Sequence, residues 1–385
     1  MGFSGYHRPD GEVGIRNYVV AMSSVSCANG VVTAIARELP DVKPITHTEG
    51  CGRLFAEDIA MSTRTLAGLG KHPNVAAILV VGLGCEVITA PTLVDQIKAS
   101  GKPAEYLIIQ EAGRTVKTTA QGIAICQRFL AGAANIRRQA VGWDKLCLAL
   151  ACGGSDALSG VTANPVIGVA ADWLVEHGGT ALLCETTEMI GTEKLLARRA
   201  ADPKTAEQIV SLIQRQEKLT KELLGPLAGR AISPGNMEGG LSTIQEKALG
   251  CIIKGGNSPI NEVVDYAAAP SKQGLVIMDS PGSDIFQLTG MAAAGAHVTL
   301  LSTGRGTPAG FPIMPVVKFS SNSDLFQKMG DDMDLNAGQV LGGKSIPNMG
   351  KELIALLAEV ANGKQTKAEI NQQDIIAIHT LSPSF

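Results

Sequence analysis

Aromatic residues are scarce in this sequence, 4% of 385 residues, so any core must be filled by Val, Ile, Leu and Ala. Net charge is scarce too: a formal −3 gives no reason to expect nucleic acid or an anionic membrane as partner. No stretch reaches the length of a membrane span, because every apolar run is cut by Gly or a charge. Near Met1 there is no basic segment followed by an apolar run, which excludes an export signal and makes the expected location cytoplasmic. The chain has no CxxC pair and no HExxH, so neither a zinc knuckle nor a zincin is supported. GLGCEV (82–87) is an incomplete GxGxxG, and nucleotide binding has little support.

What the chain does have is 44 glycines, eight cysteines and alternating apolar runs. Strands are expected at 17–25, 43–48, 75–82, 105–110, 145–151, 180–185, 274–278 and 297–302. Helices are expected at 30–39, 55–69, 92–100, 122–130, 202–224, 285–294 and 351–362. Strand–helix alternation of this kind predicts right-handed crossovers and mainly parallel sheets. AAILVV (76–81) is continuous rather than alternating, as in a strand covered on both faces. The polar stretch 135–144 suggests two α/β domains, 1–138 and 139–385. The Gly/Pro-rich passage 225–240 reads as a functional loop, and the last residues as loosely held.

Cys27, Cys51, Cys85 and Cys152 each fall just past a proposed strand end, in SSVSCANG, HTEGCGR, VGLGCE and ALACGGSD. Ligands of open parallel sheets bind outside the carboxyl ends of strands, so thiols distant in sequence can meet there. With His47 four residues before Cys51, a soft-ligand site for iron or zinc is expected. A single free cysteine is more often an idle core residue, and Cys126, Cys147, Cys184 and Cys251 are read that way. His7, His72, His177 and His379 read as solvated, His297 as structural. Glu86, Asp156, Glu185 and Glu188, beside the cysteine-bearing turns or in ETTE (185–188), form the pool of general acids and bases. CGGSDALSGVTANP (152–165) gathers hydrogen-bonding side chains, Ser155 and Asn164 among them, on one strand-to-helix turn, suited to a polyhydroxylated ligand. SPGNMEGG (233–240, with Asn236) and STGRGTPAG (302–310, with Thr307) add Gly-rich loops. Arg305 between two glycines suits a carboxylate fork.

These strings resemble the altronate and galactarate dehydratase family. GYHRPDGEVGIRN (5–17), HTEGCG, GLGCE, CGGSDALSGVTANP, SPGNMEGGL, EKALG (246–250), TGRGTP and DLNAG (334–338) match in order over essentially the whole chain. The resemblance implies a hydro-lyase that removes water across C2–C3 of a hexonic or hexaric acid, giving a 2-keto-3-deoxy acid. It implies Fe2+, with Mn2+ or another divalent metal as substitute and an iron–sulfur cluster as the other form. His47, Cys51, Cys85, Cys152 and Cys27 fall in the shared strings as the candidate metal ligands. Lys247 or Arg305 is expected to neutralise the substrate carboxylate. Longer members carry an N-terminal β-rich domain, so a separate small subunit is expected as partner, together with a homo-oligomeric assembly. A branch similar to sulfolactate sulfo-lyase eliminates sulfite instead of water; the cysteines here favour the dehydratase. A sugar-acid-binding subunit without activity is the remaining alternative.

Overall fold

The computed structural model describes residues 2–53 and 55–382. It is an α/β protein with two parallel sheets, as the alternation of strand and helix segments predicts. An antiparallel ribbon opens the chain, β1 (Gly2–His7) with β2 (Val13–Gly14), and β1 also pairs with β7 (Gln139–Gly142). Between them lie β3 (Tyr18–Ser23), α1 (Asn29–Glu38), β4 (Val42–Ile45), α2 (Ala56–Lys71), β5 (Val75–Gly82), α3 (Ala90–Lys98), β6 (Ala104–Ile108), α4 (Ile109–Ala112) and α5 (Thr115–Ala133). The four strands run parallel in the order β4-β3-β5-β6. All eight residues of β5 are buried. Burial of each of its Val, Leu and Ile side chains contributes about 1.5–3 kcal/mol, which is why an unbroken apolar run suits a central strand.

The second part begins with β8 (Cys147–Cys152), α6 (Ala163–Glu176) and β9 (Thr180–Leu183), followed by α7 (Glu193–Ala197), α8 (Pro203–Leu224), α9 (Pro234–Glu238) and α10 (Ile244–Cys251). Then come β10 (Ile260–Val264), β11 (Gly274–Met278), α11 (Asp284–Ala293), β12 (Val298–Thr303), β13 (Val316–Ser320), α12 (Ser323–Lys328), β14 (Leu335–Asn336), α13 (Ile346–Ala361) and α14 (Lys367–Ile370). Its seven strands are all parallel, ordered β10-β11-β9-β8-β12-β13-β14. One core runs between the two sheets: Val20, Ile78 and Val80 of the first share it with Ala149, Leu182 and Leu301 of the second. Helices α2 and α11 pack so closely there that a Cβ on Gly68 would lie 2.3 Å from the Ala293 carbonyl oxygen.

The opening GYHRPDGEVGIRN string is explained by this packing. Arg8 donates to the carbonyls of Pro73 and Arg16 and to Asn17 Oδ1, while Arg16 pairs with Glu369 at 2.8 Å. Both arginines are buried, and Arg16 ties the start of the chain to its last helix. Asp58 accepts from the Leu381 amide at 2.5 Å and from Ser382, while the expectation of loosely held last residues falls largely on 383–385, outside the described residues. His72 is buried, not solvated; its Nε2 meets the Ala296 carbonyl at 2.7 Å and its Nδ1 accepts from the Asn74 amide.

Candidate active site

At the carboxyl ends of β8 and β9 the second sheet carries a fully buried group, Cys152, Glu185, Glu188 and Cys251. One ligand atom from each lies within 4.8 Å of all the others. Cys152 Sγ stands 3.1 Å from Glu188 Oε2, 3.5 Å from both oxygens of Glu185 and 3.9 Å from Cys251 Sγ. Cys251 Sγ donates to Glu185 Oε2 at 3.2 Å. Two ammonium groups complete the centre. Lys254, wholly buried, pairs with Glu185, and Lys247 pairs with Glu188.

Local geometry explains how these groups meet. Cys152 ends β8, and its amide donates to Glu185 Oε1 at 3.1 Å. Glu185 follows β9 in a left-handed conformation, φ 77°, a strain of about 1–3 kcal/mol for a residue other than glycine. That turn is fixed by Ser280, whose Oγ accepts the Glu185 amide and whose carbonyl accepts the Thr186 amide. A 3₁₀ turn over Thr186–Met189 then presents Glu188. Lys247 and Cys251 are four residues apart on α10, and Lys254 follows three later, a spacing that puts all three on one helical face.

The electrostatics follow from burial and pairing. Burial pushes the Glu188 carboxyl up, but Lys247 and Lys254 outweigh it and hold the group below its ordinary range. Burial pushes Lys254 down, and Cys152, Cys251 and the two glutamates hold it well above. Asp284, at the start of α11, moves the other way: burial, then Glu185 and Glu188, raise it to about 6. Its carboxylate crowds Gly153, where a Cβ would sit 2.2 Å from Asp284 Oδ2.

The Asp284 shift predicts a pH-dependent stability. Its folded pKa lies above the unfolded one, so the folded state holds the proton more tightly and stability falls as pH rises through about 6. Asp284→Asn is therefore expected to stabilise the chelator-treated protein by about 2 kcal/mol at about pH 8 and to give no gain near pH 4. Denaturant midpoints at both pH values check this; an equal change at both would remove the proton as the cause.

A divalent metal fits this donor set. Two thiolates and carboxylate oxygens suit a borderline or soft transition metal. Charge also balances: with both thiols protonated, two carboxylates cancel two ammoniums, and exchanging two thiol protons for one divalent cation leaves the sum unchanged. A cavity of about 240 Å³ adjoins the centre, lined by Ser155, Asn164, Lys247 and Cys251. A larger one, about 830 Å³, lies at the opposite strand ends beside His72, Cys147, Thr180 and His297. His297 there is committed to the Val13 carbonyl and the Cys147 amide, and parallel sheets present ligands at the other edge.

Of the sequence candidates, Cys152, Glu185, Glu188 and Lys247 meet in this centre. Cys251, read as core, joins them, and Lys254 and Asp284 were not singled out at all. Asp156 is buried nearby and saturated: its carboxylate accepts from Ser159 N and Oγ, Ser321 Oγ and Asn322 Nδ2, the role of a strut. Asn164 donates to the Gly250 carbonyl and accepts from Ser302. Asn236 donates to the Ser155 carbonyl and accepts from Lys247 at 3.2 Å. Arg305 is exposed at the rim, paired with Glu238 at 2.6 Å, and the Thr307 hydroxyl accepts from the Ala309 amide. His47, Cys27, Cys51, Cys85 and Glu86 stand at the carboxyl edge of the other sheet, outside this ligand group. Both His47 ring nitrogens are used, by the Ser23 carbonyl at 2.7 Å and the Glu49 amide at 3.1 Å.

GQVLGGKS (338–345) fits the phosphate-loop pattern GxxxxGK[ST] after β14, which corrects the expectation that the sequence holds no Walker motif. The amides of residues 341–344 are all spent in turns on the carbonyls of 338–340, so no phosphate cradle forms.

A buried acid–base centre of thiols, carboxylates and ammoniums at the strand ends of an α/β fold defines a candidate lyase. The chain belongs to the D-galactarate/altronate dehydratase family: residues 143–384 match the pattern "D-galactarate/Altronate dehydratase, C-terminal", and residues 5–134 match "D-galactarate dehydratase/Altronate hydrolase, second domain". It is 35% identical to altronate dehydratase of Escherichia coli K12, over 97% of this chain and 76% of that protein. It is 33% identical to the galactarate dehydratase (L-threo-forming) of the same organism, over 94% of this chain and 73% of the relative. It is also 35% identical to (2R)-sulfolactate sulfo-lyase subunit beta of Chromohalobacter salexigens, over 95% and 94%. The named relatives are all lyases, and the chain is an enzyme of that kind.

Proposed function

We propose that the protein dehydrates a sugar acid of the altronate or galactarate type to a 2-keto-3-deoxy acid. The observation that carries this is the buried centre itself, in which Glu188 and Asp284 have their proton affinities pushed apart beside a cavity. Pairs of carboxyls separated in this way supply a base and an acid at one pH.

In this reading Cys152, Cys251 and Glu185 hold a divalent metal, Fe2+ or a substitute such as Mn2+, and Glu188 stays free. The metal, when bound, supplies Lewis-acid polarisation of the substrate carboxylate and 2-hydroxyl. Glu188, kept ionised by Lys247, takes the C2 proton. Asp284 gives its proton to the departing 3-hydroxyl. Lys247 neutralises charge building on the substrate, and Ser155 meets a hydroxyl in the cavity. Arg305 and Thr307, at the rim, orient the far end of the acid. Asp156, Asn164 and Asn236 hold the loops that carry these groups, while Glu86 and His47 brace the other sheet's edge.

We read residues 1–138 and 139–385 as the two domains, and place the enzyme in the cytoplasm, where eight free thiols persist. A separate small subunit is the proposed partner, since one relative is named as a subunit beta. Self-association into a symmetric assembly is proposed with it. A second reading, elimination of sulfite from a sulfonated acid, is favoured by that same relative, 94% of which is covered.

The deciding experiment is an anaerobic assay with ferrous iron, the candidate small subunit, and a panel of aldonic, aldaric and sulfonated acids. Keto-acid formation from a sugar acid is expected. Sulfite release from sulfolactate alone would transfer the chain to the second reading. Binding of a sugar acid with no product would leave a non-catalytic subunit.

A further inference from the structure

Cys152 and Cys251 stand with their sulfurs 3.9 Å apart, the one thiol–thiol contact among the described residues. Both are buried, but Cys251 lines the cavity of about 240 Å³, so a solute of a few atoms in that cavity meets it. The two thiols come from different elements, the end of β8 and the end of α10. Close packing fixes α10 there. A Cβ on Gly160 would lie 3.0 Å from Gly250 Cα, and one on Gly250 would lie 3.1 Å from Gly160 Cα. The Gly250 carbonyl also accepts from Asn164 Nδ2 at 2.8 Å. Cys251, the next residue, is thus held against the strand end and not carried on a free loop.

The separation suits two states that exclude each other. Two thiolates on one tetrahedral metal, each at about 2.3 Å, lie about 3.8 Å apart. A disulfide holds its sulfurs at about 2.05 Å. Closing the pair therefore asks about 1 Å of each sulfur, the scale of a side-chain rotation with the backbone in place. Thiolate is the form that binds metal, so a sulfur spent on the S–S bond no longer serves as such a ligand.

We infer that Cys152 and Cys251 form a redox modification site, which a peroxide converts to a disulfide and a thiol reductant reopens. Cys251, the cavity-lining thiol, attacks the O–O bond. Its sulfur keeps one hydroxyl as a sulfenic acid, and the other leaves as water with the thiol proton. The Cys152 sulfur then displaces the hydroxyl from Cys251, which leaves as a second water with the Cys152 proton. The two sulfurs lose two electrons and the peroxide gains them.

The surrounding charges favour stopping at the disulfide. Once the thiol hydrogens are gone, Glu185 keeps Lys254 and the Cys152 amide, and Glu188 keeps Lys247. A disulfide is neutral, so two carboxylates still cancel two ammoniums. A sulfinic acid would instead bury a new anion beside both glutamates. The disulfide stands on this geometry; that it shuts out a metal rests on the reading in which these thiols hold one.

The test exposes the chelator-treated full-length protein to hydrogen peroxide, then unfolds, alkylates and maps it without reductant. A peptide joining Cys152 to Cys251 is expected, absent after dithiothreitol, with the buried Cys126 and Cys184 still alkylated as free thiols. Cys251→Ser should give no such peptide, and its hydroxyl can still donate to Glu185, so the thermal midpoint should stay close to the parent's. The parent's map decides by itself if that variant does not fold. Free Cys152 and Cys251 after peroxide, a link from either to another cysteine, or a sulfinic acid at Cys251 would each overturn the site. Cobalt(II) follows the consequence. Reduced protein should show thiolate-to-cobalt charge-transfer absorbance, the disulfide form should lose it, and dithiothreitol should restore it. Absorbance unchanged by the disulfide would leave the modification site standing and overturn its coupling to the metal.

Discussion

Glu188→Gln is expected to lower turnover by about 10³-fold while the protein still folds. Gln keeps the shape of the side chain but cannot accept a proton from carbon. Glu188 is chosen over Glu185 because of where the two pairs lie. The Glu188–Lys247 pair is the outer one, the Lys247 side chain 13% exposed and part of the cavity wall; Glu185 and Lys254 are at 0%. A base must reach its substrate, and Glu188 is the glutamate whose lysine partner lines the cavity. Lys247 keeps a partner in the variant, the Asn236 Oδ1 at 3.2 Å, so the loss should fall on kcat more than on the fold. Rates of keto-acid formation, with a thermal midpoint within a few degrees of the parent, check this. Turnover within threefold of the parent would remove Glu188 as the base and move attention to the first sheet's thiols.

Much of the fold could be read from the residues, because its strands are apolar runs with glycine-rich turns at their ends. Val75–Gly82 and Gly274–Met278 lie where the pattern puts them. β13 was not expected, and Lys318 is the reason: a lysine in PVVKFSS argues against a buried strand. Here it is wholly buried, its ammonium satisfied by the Thr307 carbonyl and Gln373. β10 was hidden in a similar way, since INEVV is half-buried and polar at an edge. Of the candidate site, the part carried by strand ends was legible: Cys152 ends β8, and Glu185 and Glu188 lie in the turn after β9. Cys251 was not, because one thiol in a helix has the same signature as a core residue. The signal that was available is the Lys247, Cys251, Lys254 spacing of four and three. Two cations flanking a thiol on one helical face make a poor core stripe, and the spacing would have drawn all three together. Asp284 gave no comparable signal; its importance arises from three-dimensional closeness to Gly153 and the two glutamates.

Lys254→Met should cost about 3–5 kcal/mol of stability, a large part of the 5–15 kcal/mol of an ordinary domain. The side chain is fully buried and its ammonium faces the Glu185 carboxylate. Methionine fills nearly the same volume, so the loss is electrostatic: a carboxylate stays in the interior with its main countercharge gone. The double variant Lys254→Met/Glu185→Gln separates this from a packing defect. Removing both charges leaves no uncompensated ion, and most of the lost stability should return, a coupling of at least about 2 kcal/mol. Denaturant midpoints of the chelator-treated proteins, with unchanged slope, measure all three differences. Activity should not return with the stability, because Glu185 holds its place at a strained backbone position beside Cys152 and the amide cannot replace the carboxylate there. If the double variant is as unstable as the single, Lys254 acts through packing and the inner pair is not an ion pair in the folded protein. If instead it recovers both stability and turnover, Glu185 is dispensable and the metal, where one binds, is held by the remaining donors. The expected outcome, stability restored and activity lost, distinguishes a centre kept for chemistry from one kept for folding.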